Sequence, residues 1–191
     1  MGQVLFRRRR LVAASLVVSP FLLGNSASAR GVVDEVKIGV LAHDIGFLGD
    51  SVEGGADIVG EILFESPDFL HVIGAPRPTI GGSVNTNGKT NYLYVDMTWK
   101  ASVWAPTMRQ GDSIYLGAFA GCAVHDGHLN ERDDGNKDLG TRALFHLGFE
   151  VGYQITPAYS IELYFSHLSN AFTSAQNPGL NNLGVRAGFK F

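Results

Sequence analysis

Apolar and polar residues alternate with a period of two in segment after segment of this 191-residue chain. The last segment shows the pattern over its whole length: Leu183, Val185, Ala187, Phe189 and Phe191 alternate with Asn182, Gly184, Arg186, Gly188 and Lys190. Successive side chains of a β-strand point to opposite faces, so this alternation predicts a strand with one apolar and one polar face. The fold must therefore give each such strand two different environments.

Turn-forming residues separate eight segments of this kind. They cover residues 36–42, 57–64, about 70–84, 93–103, 114–122, 145–151, 161–169 and 182–191. The third segment contains Pro76 and Pro78, and a proline removes a hydrogen bond from a strand ladder. We therefore expect an all-β chain of eight strands, with the third the most irregular.

The polar faces carry charges of both signs, whereas the other faces are aliphatic and aromatic. The residues with charged or titratable side chains are Lys37, Asp57, Glu61, Asp96, Lys100, His146, Glu150, Glu162, Arg186 and Lys190. A periplasmic sandwich or a lipocalin-like barrel would show the same alternation. The longer segments, at about 70–84, 93–103 and 182–191, have ten or more residues, however, and match the roughly 9–11 needed to span a bilayer at a tilt. No stretch after residue 29 is long and apolar enough for a spanning helix, so we predict an eight-stranded antiparallel transmembrane β-barrel of the outer membrane.

Both ends of the chain support export. Four arginines at 7–10, an apolar run at 11–24 and the pair Ala27-x-Ala29 have the anatomy of a secretory signal peptide. We therefore expect a signal peptide at 1–29 and a single barrel domain at 30–191, the alternative being an uncleaved anchor helix. A last strand ending on Phe191 is similar to the assembly signal of outer-membrane proteins, which predicts the outer-membrane assembly machinery as a partner.

The composition argues against several classes of function. The formal net charge is −3, so no basic field points to a nucleic-acid partner. Cys122 is the sole cysteine and cannot form an internal disulfide; on an apolar face it acts as a small hydrophobe. His125, Asp126 and His128 fall in a predicted outer loop, but their spacing fits no known metal-binding loop. We expect a solvated loop and no metal site there.

The predicted topology separates two kinds of connection. With both termini periplasmic, the odd-numbered connections face outside and the even-numbered ones face the periplasm. The outer loops are then expected near residues 45–53, 85–89, 126–139 and 171–179. The inner turns are expected near 66–69, 105–111 and 156–157.

One strand ends in a way that its apolar face does not explain. In the stretch IELYFSHLSNA (161–171), the outward face reads Ile, Leu, Phe and then His167 and Ser169. The simple interpretation is a polar rim at the outer end of the strand. The alternative is a nucleophile and its base, because a serine hydroxyl needs a base to take its proton and residues two apart share a face. A lipid ester in the outer leaflet would lie against such a pair.

The sequence HLSNA at 167–171, followed by NPGL at 177–180 and the final strand, resembles the PagL-type lipid A 3-O-deacylases, also called acyloxyacyl hydrolases. The resemblance extends to residues 123–127 and 92–104. It implies an outer-membrane barrel that hydrolyses the 3-O-linked acyl chain of lipid A, with lipopolysaccharide and outer-membrane lipids as partners and no cofactor. It also implies that Ser169 is the nucleophile and His167 the base.

Two positions depart from the family pattern. Asn181 stands where family members carry a glutamate that orients the histidine, and Phe172 stands where glycine is frequent. We expect Asn181 to face outward beside the pair and to accept a hydrogen bond from the imidazole; an acid such as Glu131 or Asp133 could substitute for the missing charge. Asn170 is either an oxyanion donor or a turn residue. These departures leave open a catalytically weakened or inactive structural barrel, and an acyltransferase on the same kind of barrel.

Overall fold

The chain folds into a closed antiparallel barrel of eight strands within residues 32–106, 111–130 and 135–191, which are the residues that the computed structural model describes. The strands are β1 (Val33–Ala42), β2 (Ala56–Phe64), β3 (Arg77–Asn85), β4 (Tyr92–Trp104), β5 (Ser113–His125), β6 (Ala143–Gln154), β7 (Tyr159–Ser169) and β8 (Leu180–Lys190). Each strand pairs with the next, and β8 closes on β1. The predicted all-β, eight-stranded barrel is confirmed, whereas the predicted signal peptide at 1–29 lies outside the described residues.

The third predicted strand is shorter than expected. Residues Asp68–Ile73 form a 3₁₀ helix instead of a strand, and β3 begins only at Arg77. Gly74 and Ala75, both with positive φ, turn the chain after this helix. The expectation of a strand from about residue 70 was therefore wrong. The physical reason is that Pro76 lacks an N–H for the ladder, so the strand starts after it.

The barrel wall separates an apolar outer face from a polar interior. Outward residues such as Ile38, Leu93 and Val95 remain more than half exposed, while the alternating residues between them are buried inside. So large an apolar surface is expected to face hydrocarbon. In the part of the chain that is described, no helix has the length and apolarity needed to cross a membrane.

Buried charges fill the middle of the barrel, as the sequence predicted. Lys37 Nζ lies 2.9 Å from Glu150 and 3.0 Å from Glu162. Arg186 pairs with Glu61, Glu150 and Glu162 and stacks over the Tyr164 ring. These side chains fill the interior of the barrel at mid-height, so the described residues leave no open channel at this level.

Candidate active site

The imidazole of His167 is held by an amide from the neighbouring strand. His167 on β7 lies directly opposite Asn181 on β8, and His167 Nδ1 is 2.7 Å from Asn181 Oδ1. The amide oxygen accepts, so Nδ1 carries the proton and Nε2 keeps its lone pair. The predicted position of Asn181 beside the histidine is confirmed, and the histidine is in the tautomer that a general base requires.

Ser169 is the last residue of β7 and shares the outward face with His167. Both are half-buried, in contrast to Ser166 and Leu168, which are fully buried on the inner face. Within residues 32–106, 111–130 and 135–191, no hydrogen bond joins Ser169 Oγ to the His167 ring. Such bonds are often long in a free enzyme and tighten only with substrate in place.

Asn170 is committed to the loop that follows β7. Its Nδ2 donates to Leu139 O at 3.0 Å and to Gln176 O at 2.5 Å, and its backbone N–H donates to Asn177 Oδ1 at 3.0 Å. Both amide protons are therefore in use. This geometry favours the turn-residue alternative for Asn170, and an oxyanion role would require one of these bonds to be exchanged.

The next two residues have left-handed backbone conformations. Ala171 has φ 49° and Phe172 has φ 64°, a region in which a residue with a side chain is strained. Phe172 is 86% exposed, so packing does not repay that strain. Among the described residues, the backbone N–H groups of Ala171 and Phe172 have no hydrogen-bond partner. They are consequently available to an oxyanion beside Ser169.

Gly179 lies against the imidazole of His167. Its φ is 65°, and a Cβ at this position would lie 2.9 Å from His167 Cε1, so the position requires glycine. Its carbonyl accepts from Lys137 Nζ at 2.8 Å, and the same ammonium lies 2.5 Å from Asp44 Oδ1. Lys137 and Asp44 are both buried, and this ion pair joins three outer loops beneath the site.

The β1–β2 loop, residues 43–55, is attached to the same place. Asp44 N–H donates to Asn182 Oδ1 at 3.0 Å, and Ile45 N–H donates to the backbone oxygen of Asn181 at 2.8 Å. Sequence reasoning did not identify Lys137 or Asp44 as part of the site. No local pattern marks them, since both lie in loops far along the chain from residues 167–181.

A second buried cluster holds the root of this loop. His43 contacts Asp57 and Glu53, each at 2.9 Å. Burial, the largest effect, opposes the charged imidazole, but the hydrogen bonds to Asp57 and Glu53 outweigh it and raise the pKa of His43 to about 9. Burial likewise opposes the charge on Glu53, yet hydrogen bonds from His43, Lys137 N–H and Thr90 lower its pKa to about 2. The loop is therefore tied down by an ion pair at neutral pH.

The long loop after β5 is bound by ordinary hydrogen bonds. His125 Nε2 lies 2.7 Å from Thr141 O, and both oxygens of Asp126 accept from Asn91. Across the described ranges, no group of three or more His, Cys, Asp or Glu side chains is arranged to hold a metal ion. Glu131 and Asp133, the acids considered as substitutes for the missing glutamate, lie outside the described residues.

The comparisons with known proteins agree with this fold and identify a family. A family profile described as lipid A 3-O-deacylase (PagL) matches residues 77–190. Among solved structures, that of the outer membrane enzyme PagL aligns with a TM-score of 0.63 at 14% identity, covering 82% of this chain and 99% of the other. No curated protein matches the sequence.

Other outer-membrane barrels align less well. The neisserial surface protein A (NspA) aligns with a TM-score of 0.52 at 14% identity, covering 82% of this chain and 96% of the other. The N-terminal barrel domain of Pseudomonas aeruginosa OprF aligns with a TM-score of 0.50 at 13% identity, covering 83% and 98%. At these identities the alignments establish the fold, and the sequence profile is what separates one barrel function from another.

Proposed function

Because the chain belongs to the PagL family of lipid A 3-O-deacylases, an outer-membrane family of hydrolases, we propose that it cleaves its ester with Ser169 as nucleophile and His167 as general base. The observation that carries this assignment is the hydrogen bond from His167 Nδ1 to Asn181 Oδ1. It leaves Nε2 free to accept a proton on the face that Ser169 shares. The pair stands at the outer end of a lipid-facing strand, where the ester of an outer-leaflet lipid would lie.

The reaction follows the two-step course of serine esterases. Ser169 Oγ attacks the carbonyl carbon of the 3-O-acyl group while His167 Nε2 takes the hydroxyl proton. The tetrahedral intermediate collapses, the sugar 3-hydroxyl leaves with the proton from His167, and the acyl group remains on Ser169. Water, deprotonated by His167, then attacks the acyl-enzyme; the bond to Ser169 Oγ breaks, His167 returns the proton to that oxygen, and the free fatty acid is released. The resemblance implies no cofactor, and each of these proton transfers uses His167 alone.

Charge on the substrate carbonyl oxygen needs donors in both steps. We assign this task first to the backbone N–H groups of Ala171 and Phe172, in the turn that begins at Asn170 directly after Ser169. Among the described residues, these two N–H groups have no hydrogen-bond partner. Asn170 contributes by holding that turn through its bonds to Leu139 and Gln176. Its side chain serves as a direct donor only if one of those bonds opens.

The decisive experiment is mass spectrometry of lipid A from cells that express the protein or its Ser169→Ala form. Wild type is expected to remove one hydroxyacyl mass, and Ser169→Ala is expected to remove none. Ser166→Ala is a matched control on the same strand, because that serine is buried on the opposite face. Deacylation by Ser169→Ala would refute the serine assignment, and gain of an acyl mass would indicate an acyltransferase.

A second candidate is a barrel of this family with weakened chemistry. The observation that favours it is the amide at Asn181. This amide has no negative charge with which to neutralise an imidazolium. Its Nδ2 is buried and has no hydrogen-bond partner among the described residues. Under this hypothesis, the folded wild-type barrel leaves lipid A unchanged, while Asn181→Glu or Asn181→Asp restores deacylation.

We also propose that residues 1–29 are removed on export and that the final strand addresses the barrel to the assembly machinery. Phe191 is 73% exposed, and its ring meets that of Phe189 with centroids 5.0 Å apart. N-terminal sequencing of the purified barrel should begin at Arg30. Deletion of Phe191 should lower the amount of assembled barrel, and an unchanged yield would contradict the proposed signal.

A further inference from the structure

The β1–β2 loop does not stay above the barrel but reaches over its outer wall. Phe47, in this loop, packs edge-on against Phe165 of β7, with ring centroids 5.7 Å apart. On the other side Phe149 of β6 stacks on Phe165 at 5.2 Å. The three rings, Phe47, Phe149 and Phe165, are called the aromatic trio below.

The trio buries one residue on the outward face of β7, while the preceding residues of that face remain exposed. Ile161 and Leu163, on the same face of β7, are 50% and 49% exposed, whereas Phe165 is 7% exposed. Phe47 itself remains 70% exposed, so its outer surface is bare on the membrane side. Phe47 and Phe149 therefore cover Phe165, and their own exposed faces, 70% and 50%, form an apolar surface on the outside of the barrel.

The aromatic trio lies on the membrane side of the proposed nucleophile. Phe165 precedes His167 by two residues and Ser169 by four, which places it about 13 Å from Ser169 along the strand, toward the membrane. A lipid ester held at Ser169 must extend its acyl chain in that direction to remain in hydrocarbon. The chain then runs along the exposed faces of Phe47 and Phe149.

The loop that carries Phe47 is fixed at its root. Asp44 binds Lys137 and Asn182, and Ile45 binds the backbone of Asn181. Gly49 approaches Pro178 in the β7–β8 loop so closely that an added Cβ would lie 3.0 Å from its carbonyl oxygen. Phe47 is thus presented by a loop held at both sides of the site, as a wall of defined position.

We propose that Phe47 contacts the acyl chain being cleaved and makes the enzyme sensitive to its length, with Phe149 as the other exposed ring along the chain and Phe165 as the residue on which both rings rest. This inference rests on the proposed lipid A deacylase function and adds a specificity-determining residue outside the His-x-Ser motif. The acyl chain lies in hydrocarbon or detergent whether or not it touches Phe47, so this contact contributes through close packing and not through removal of methylenes from water.

The test compares purified variants in detergent micelles on lipid A substrates that differ only in the length of the 3-O-acyl chain. Phe47→Ala is expected to raise KM about threefold to fivefold on chains long enough to reach Phe47, because the chain loses its packing contacts with the ring. On a chain too short to reach the trio, kcat and KM should stay within about twofold of wild type. Leu48→Ala is the matched control, since Leu48 belongs to the same loop and is 54% exposed.

Two results would overturn the inference. One is a Phe47→Ala profile that falls equally for all chain lengths, and the other is a profile indistinguishable from that of Leu48→Ala. Phe47→Leu keeps an apolar side chain and should give an intermediate, still length-dependent loss; a length-independent loss in this variant likewise refutes the proposal. Loss of all deacylation in Ser169→Ala, with activity in wild type, keeps the function itself intact whatever Phe47 does.

Discussion

The middle of the barrel and the outer end of β7 handle polar groups in opposite ways. In the middle, Lys37, Arg186, Glu150 and Glu162 are fully buried and each has an oppositely charged partner. At the outer end, Asn181 Nδ2 has no hydrogen-bond partner among the described residues, and two successive residues are left-handed. The first arrangement is reciprocal and self-contained, whereas the second has unused donors and backbone strain.

The difference separates stability from function. Buried charges that satisfy one another hold a structure and have nothing left for a ligand. Unpaired polar atoms and strained residues persist where the surroundings over-determine them, and such places are commonly functional. The Lys137–Asp44 pair stands between the two regions, because it is a buried ion pair that also supports Gly179 against His167.

The largest expected effect comes from the interior. Arg186→Met leaves Glu61, Glu150 and Glu162 with Lys37 as their nearest cation, and we expect a loss of about 3–5 kcal/mol in the free energy of unfolding. Urea unfolding in micelles measures it, with Arg186→Lys as the control that keeps the charge. Deacylation below the unfolding midpoint should be unchanged, and a parallel loss of activity would break the division drawn above.

Lys137→Met tests the connection between the two regions. It leaves Asp44 buried without its cation and Gly179 O without its donor, so we expect about 2–3 kcal/mol lower stability. We also expect kcat to fall about tenfold, because a misplaced catalytic group of this kind is costly. Lys137→Arg keeps the positive charge and should retain most of the stability and most of the kcat of wild type. A variant with lower stability but wild-type kcat would show that the pair supports only the loops.

Asn181→Asp places a carboxylate where the amide now accepts from His167. An amide in place of the acid costs about 10⁴ in turnover in serine proteases, part of it through the wrong tautomer. Here the tautomer is already suitable, so we expect a smaller rise of about tenfold to a hundredfold in kcat. Steady-state kinetics at one micelle composition would measure it. An unchanged kcat would mean that the amide orients His167 well enough for catalysis. The observation behind the weakened-barrel hypothesis would then no longer support it.

Phe172→Gly removes backbone strain at an exposed position. The left-handed conformation costs a residue with a side chain about 1–2 kcal/mol. Glycine avoids this cost, but its greater conformational freedom in the unfolded chain offsets about 0.5–1 kcal/mol of the gain. The barrel should gain about 0.5–1 kcal/mol in the free energy of unfolding, with kcat unchanged or higher. Phe172→Ala keeps the Cβ and should show no such gain; equal stabilisation by both variants would assign the effect to the ring.

The last expected effect is confined to the β1–β2 loop and depends on pH. The pKa of His43 is raised to about 9, above its ordinary value near 6.5. Its contribution to stability is therefore complete below about pH 6.5 and is lost as the pH rises through 9. Hydrogen exchange of residues 43–55 should quicken over that interval in wild type. His43→Gln should remove this dependence, and identical curves for the two proteins would contradict it.

Local sequence patterns were sufficient for much of the fold. Alternation at 182–191 and in the other segments identified all eight strands and which face of each is buried, because the period of a strand is local. It also placed Lys37 and Arg186 among the carboxylates of the interior. It failed at residues 70–76, where the prolines and a left-handed turn replace strand by a 3₁₀ helix.

Parity and a short motif were also sufficient for the outward orientation of His167, Ser169 and Asn181. The sequence by itself determined these positions because each depends on neighbours within the same strand. Only the tertiary structure decided the register that sets Asn181 opposite His167, the use of both Asn170 amide protons by the loop, and the reach of Phe47 to Phe165. Register and loop contacts join residues far apart in the chain, and a periodic pattern within one segment contains no information about them.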